Sequence, residues 1–304
     1  MADTDLVQKI KKLKSERGAL ILAHFYQTLD IQLIADFVGD SFELSRRAKN
    51  APEKLIVFCG VKFMAESAKL LSPDKTVLLP NISAGCPMAD MVNPEIVRSM
   101  REQYPSAAVV CYVNSSAETK AVSDICCTSS NAVRVVKSLP EKEIIFIPDK
   151  NLGAYVAKSL PDKEFHFMRG WCPIHKNITE DVIVEAKAKY PDAAVAVHPE
   201  CEADVLAHAD FIGSTSEILK YCGEESDAKE FIIGTEYGVV ERLRHFHPEK
   251  TYHLLHSMLV CPNMKKTTLG DIYTCLDTNS GEIILPDDII SKAGIPLERM
   301  LANA

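Results

Sequence analysis

No uninterrupted apolar run in this sequence reaches the roughly 18 residues that a bilayer-crossing helix needs, so no membrane partner is expected. Basic blocks are missing as well. The 34 Lys and Arg are outnumbered by 42 Asp and Glu, giving a formal net charge of −8 and a pI of about 5.6. That balance argues against nucleic acid as a main partner. The opening stretch MADTDLVQKIKKLKSERG lacks the apolar centre of a signal peptide. A soluble, cytoplasmic protein is the expectation. Cysteine is sparse: ten in 304 residues are too few for a disulfide scaffold. In a reducing compartment most of them should be buried small apolar side chains, with a few available as metal ligands.

What the sequence does have is alternation. Short runs rich in Val, Ile and Phe recur along it: ALILAHF, KLIVFCG, TVLLP, AAVVCYV, EIIFIPD, EFHFM, AAVAVHP and EFIIGT. These read as buried parallel strands. Helical patterns lie between them, such as PEIVRSMREQY from Pro94 and EDVIVEAKAKY from Glu180. The fold class is therefore α/β.

Three Cys-Pro pairs, at Cys86, Cys172 and Cys261, stand 86 and 89 residues apart. The stretches after the first two superpose. Tyr112 and His198 each lie 26 residues past their cysteine, Ser129 and Thr215 lie 43 past, and Pro148 and Gly234 lie 62 past. Counted from one period before Cys86, Tyr26 falls at 26, Ser41 at 41 and Gly60 at 60. Fixed-period similarity of this kind implies related units. We expect three α/β units: residues 1–85, closed by the tail 262–304, then 86–171 and 172–261. Packed around a pseudo-threefold axis, such units bring equivalent positions, including the three cysteines, to one central interface.

Converging thiolates need a cation between them, and soft sulfur suits zinc, copper(I) or iron–sulfur clusters. Structural zinc prefers tight local pairs such as C-x2-C, which this sequence lacks; the adjacent Cys126 and Cys127 have the wrong spacing. A 4Fe–4S cluster on three cysteines keeps one iron open as a Lewis acid, which suits dehydration. The plainer alternative is three buried apolar cysteines at unit junctions. Polar residues recur at strand ends, where open α/β sheets put their sites: His24 and Tyr26, Tyr112 and Asn114, His198 and Glu200. Ser41, Ser129 and Thr215 precede helical patterns and are expected as N-caps. Helix starts also favour phosphate or carboxylate oxygens, as a small polyanionic substrate would present.

The motifs AHFYQ, GDSFELS, GCPMADM, CYVNSSAETKAVSD, WCPIHKN, HPEC, GSTS and CPNMKKTTL together resemble the quinolinate synthase family, over nearly the whole chain. The resemblance implies three stacked αβα domains around a pseudo-threefold axis and a 4Fe–4S cluster on Cys86, Cys172 and Cys261. It implies a transferase of NAD biosynthesis that condenses iminoaspartate with dihydroxyacetone phosphate, giving quinolinate, phosphate and water. Functional coupling to an L-aspartate oxidase would follow. By position, the resemblance assigns substrate binding to His24, Ser41, Tyr112, Asn114, Ser129, His198, Glu200 and Thr215. Tyr26 matches the catalytic tyrosine, His24, His198 and Glu200 are further proton carriers, and His175 supports the cluster region. Cys261 is followed by Pro-Asn-Met, so the C-terminal Cys-x-x-Cys redox pair of some relatives is missing. The alternatives are another iron–sulfur hydro-lyase and a non-catalytic redox sensor; the latter lacks a basic helix–turn–helix pattern.

Overall fold

The computed structural model describes residues 4–303. It contains three four-stranded parallel sheets. The first is built from β1 (Ala19–His24), β2 (Phe37–Gly39), β3 (Leu55–Cys59) and β4 (Thr76–Leu78). The second has β5 (Ala108–Tyr112), β6 (Ile125–Cys127), β7 (Glu143–Ile147) and β8 (Glu164–Phe167). The third has β9 (Ala194–Val197), β10 (Phe211–Ile212), β11 (Glu230–Gly234) and β12 (Thr251–Leu254). All three share one strand order: β2-β1-β3-β4, β6-β5-β7-β8 and β10-β9-β11-β12. Helices connect the strands and cover the sheets, as parallel pairing requires.

One local device repeats in each sheet. An aspartate just before the short edge strand receives a backbone N–H from the first strand: Ile21 to Asp36 (2.8 Å), Val109 to Asp124 (2.7 Å), Val195 to Asp210 (2.8 Å). Each pair is 15 residues apart. This fixes the register between units and corrects the counting from Cys86. The first unit runs two residues early, so His24, the last residue of β1, stands opposite Tyr112 and His198. Tyr26 then matches Asn114 and Glu200.

The first two sheets share one large core, running from Leu20 and Phe58 through Val109 and Phe146 to the tail residues Ala293, Leu297 and Met300. Tail helix Leu269–Thr278 packs on Thr4–Arg17 and β3. Tail helix Asp287–Ala302 packs on Lys62–Leu71, Ala117–Lys120 and β6, spanning the first and second sheets. The third sheet has apolar cores of its own. Where it meets the first, Gly238 is required: a Cβ there would stand 2.5 Å from the Phe25 carbonyl oxygen. Among the described residues no helix is long and apolar enough to cross a membrane.

Candidate active site

The strand ends of all three sheets converge on one cavity of about 160 Å³. Its wall includes His24, Tyr26 and Ser41 from the first unit, Tyr112, Asn114 and Ser129 from the second, and His198, Glu200 and Thr215 from the third. Cys86, Cys172 and Cys261 line it too, with buried Met64, Met88 and Met264 adding apolar wall. His175 lies behind the wall, almost fully buried.

The expected caps are displaced. Asp40 caps Ser41–Asn50 and Ser214 caps Thr215–Lys220, each in a reciprocal capping box, while Asn131 occupies the cap position of Ala132–Ser138. A cap needs extended backbone and a side chain folded onto the third N–H of the helix. Asp40 and Ser214 meet both conditions. Ser41 and Thr215 are therefore relieved of capping, and both line the cavity.

Glu200 sits at the centre of the polar network. Its Oε1 accepts the Tyr112 hydroxyl at 2.7 Å, and its Oε2 lies 2.6 Å from His175 Nδ1. Burial pushes its carboxyl up, but His198, His175 and the Tyr112 bond outweigh it and hold the group down at about 2. His175 Nε2 bonds Thr235 at 3.0 Å, and its ring stacks on His198 with centroids 4.6 Å apart. The hydroxyl of Thr235 also bonds Tyr26 at 2.8 Å, and Thr215 donates to the same phenol at 3.2 Å. Burial raises the Tyr26 and Tyr112 phenols, so both stay protonated.

Two histidines are set alike. Nδ1 of His24 accepts the Tyr26 N–H at 3.1 Å, and Nδ1 of His198 accepts the Glu200 N–H at 3.3 Å. Each ring must then carry its proton on Nε2. Burial, above all, depresses both to about 3. Asn114 Oδ1 is buried without a hydrogen-bond partner, an acceptor that a ligand would satisfy.

The three sulfurs share a second pattern. Proline after each cysteine has no N–H, so the amides come from further along the turn. The backbone amides of Ala89 and Met88 favour the Cys86 thiolate, that of His175 the Cys172 thiolate, and those of Met264 and Asn263 the Cys261 thiolate. Burial lifts all three thiols, Cys86 to about 12, and the sulfurs oppose one another's ionisation, Cys261 acting on Cys86 and Cys86 on Cys172. Such a set ionises together only around a cation, and backbone amides that favour the thiolates help tune iron–sulfur centres.

A family profile described as Quinolinate synthetase A protein matches residues 8–302. The chain belongs to the quinolinate synthase family. It is 52% identical over 301 residues to the quinolinate synthase of Geobacter metallireducens, covering 99% of this chain and 98% of that one. The Clostridium kluyveri quinolinate synthase is 51% identical over 302 residues, covering 99% of each chain. That of a Sulfurihydrogenibium species is 50% identical over 309 residues, covering both chains fully. Quinolinate synthases are iron–sulfur enzymes of NAD biosynthesis that act on small molecules. The enzyme class and α/β architecture implied by the motifs hold.

Donor atoms of Cys172, His175 and Glu200 also lie within 4.8 Å of one another, as a single-ion site would require. Both His175 nitrogens and both Glu200 oxygens are already hydrogen-bonded, however. The three-cysteine face fits an iron–sulfur group better. Sequence reasoning missed Thr235, which joins Tyr26 to His175, and the capping residue Asp40, which lines the cavity. Thr235 precedes the cap Glu236 as Pro148 precedes the cap Asp149, one residue off the match of Pro148 with Gly234, and a lone threonine after a strand carries no chemical signal.

Proposed function

We propose that this chain makes quinolinate by condensing iminoaspartate with dihydroxyacetone phosphate, releasing phosphate and water, with a 4Fe–4S cluster on Cys86, Cys172 and Cys261. The observation that carries this reading is the meeting, around one cavity, of three cysteines with hydroxyl and proton-carrying groups from three sheets. An iron free of a protein ligand would supply Lewis acidity toward a hydroxyl that must leave as water.

The chain's own groups do the rest. The hydroxyls of Ser41 and Ser129 hold carboxylate or phosphate oxygens, while Thr215 spends its one hydroxyl proton on Tyr26. Asn114 offers its unpaired Oδ1 to a donor on the substrate. His24 and His198, protonated on Nε2, donate hydrogen bonds without carrying charge. The Tyr26 phenol, held between Thr215 and Thr235, is the proton donor and relay for isomerisation or ring closure. Glu200 takes protons as the base. Its Tyr112 and His175 bonds orient it, and His175 has no direct place at the substrate. The apolar wall of Met64, Met88 and Met264 disfavours water beside a reactive imine.

The proposed setting is the cytoplasm, because cluster thiolates want a reducing compartment. An imine is hydrolysed in water, so coupling to an enzyme that supplies it, such as an L-aspartate oxidase, would raise the yield. The test is anaerobic purification, iron and sulfide analysis, and an assay with both substrates. Bound iron with the near-ultraviolet band of a pyridine dicarboxylate supports the reading. Iron without that band would contradict the proposed substrates, and no iron after reconstitution would remove the cluster.

A further inference from the structure

The three Cys-Pro turns are not held alike. The Cys172 N–H donates to Oδ2 of Asp149 at 3.1 Å, while Oδ1 of the same carboxylate accepts the Leu152 N–H at 2.8 Å. The Cys261 N–H donates to Oε1 of Glu236 at 3.0 Å, while Oε2 accepts the Gly238 N–H at 2.7 Å. Both carboxylates are fully buried. They occupy the same place in their units, the cap of the helix that follows the central strand, Lys150–Ser159 after β7 and Tyr237–Phe246 after β11. In the first unit that place, before Lys62–Leu71, is Val61, whose side chain can accept nothing.

Capping a helix takes one acceptor atom and works well with Ser, Thr or Asn. A buried carboxylate is an expensive choice for that task alone. Here the second oxygen has separate work: it reaches the first residue of the next Cys-Pro turn along the chain. Glu236 goes further. Its carboxylate also accepts Lys265 Nζ at 3.0 Å, and Lys265 donates to the Tyr26 carbonyl at 2.7 Å. The Cys261 turn and the Tyr26 turn are thereby tied to one buried group.

We infer that Asp149 and Glu236 are positioning residues for the cluster: each uses one oxygen to cap its helix and the other to fix a cysteine turn. The Cys86 turn has no carboxylate at the corresponding cap. This inference rests on the proposed cluster. It requires two acceptor oxygens at each position, and that requirement separates it from packing.

The test compares Asp149→Asn with Asp149→Glu. Asparagine has the same shape but one acceptor, so it can cap Leu152 or hold Cys172, not both. Glutamate is longer but keeps two acceptors, as Glu236 does at the equivalent cap. Both variants are loaded anaerobically beside the wild type. Iron per chain is measured, then the rate of iron release to a chelator, followed by loss of visible absorbance. Outer-shell losses commonly weaken metal sites about 10–100-fold, so Asp149→Asn should release iron at least about tenfold faster. Asp149→Glu should stay near the wild-type rate, and Glu236→Gln against Glu236→Asp should show the same order. If packing alone mattered, the order would reverse, because the isostere would be harmless and the added methylene harmful. That reversal, or equal effects of both variants, or wild-type release from Asp149→Asn and Glu236→Gln, would overturn the inference while leaving the cluster in place. A wild-type chain that takes up no iron would overturn the cluster reading, and this inference with it.

Discussion

The Tyr112 hydroxyl donates to Oε1 of Glu200 across 88 residues of sequence, at 2.7 Å, fully inside the protein. One partner ends β5 and the other follows β9, so the bond closes the second unit onto the third. Glu200→Gln replaces one acceptor with a donor beside a buried hydroxyl or imidazole. Turnover should fall at least about 100-fold, as for other general bases. Visible absorbance of the loaded chain should persist. Loss of iron in that variant would make Glu200 a structural support instead.

Tyr26→Phe tests the relay. Thr215 and Thr235 keep their places but lose the phenol between them. We expect turnover to fall by about 10²–10⁴-fold, typical of a lost proton carrier. Iron content should match the wild type. Unchanged turnover would remove Tyr26 from the chemistry.

The displaced caps give a paired prediction. Asp40 accepts the Phe42 and Glu43 amides and the Ser216 hydroxyl. Asp40→Ala should cost about 1–2 kcal/mol, read as a lower melting temperature. Ser41→Ala removes no cap, so its stability should stay within about 0.5 kcal/mol of wild type. Its KM should rise. Equal destabilisation by both changes would return Ser41 to the capping role.

Acid should weaken the fold through its two buried neutral histidines. His24 and His198 sit at about 3 in the folded chain, against a usual value of about 6.5 when unfolded. Above pH 6.5 neither state binds the extra protons. Below it the unfolded chain takes them up and the folded chain does not, so stability falls as pH drops toward 3. The slope is at most about 1.4 kcal/mol per pH unit for each histidine. Urea midpoints between pH 6.5 and 5 should show it, and His198→Asn should flatten it. A wild-type midpoint that is constant across that interval would contradict the burial of these rings as neutral groups.

Much of this was legible in the residues. Long buried runs such as ALILAHF and AAVVCYV became central strands because nothing polar interrupts them. The edge strands Phe37–Gly39, Ile125–Cys127 and Phe211–Ile212 were not legible, since two or three residues carry no period. The cysteine interval pointed to one meeting place, but it misplaced the first unit by two residues. That register is set by Asp36, Asp124 and Asp210, and an aspartate before a short strand looks like any turn residue. Thr235, Asp149 and Glu236 were hidden for a related reason: their importance lies in partners more than 20 residues away along the chain.

The most direct test of the account is iron in the single variants Cys86→Ala, Cys172→Ala and Cys261→Ala, prepared anaerobically beside the wild type. One cluster shared by three units predicts about four irons per wild-type chain and near-complete loss in every variant. Independent sites predict a partial loss in each. Any variant that keeps most of its iron would contradict the shared centre.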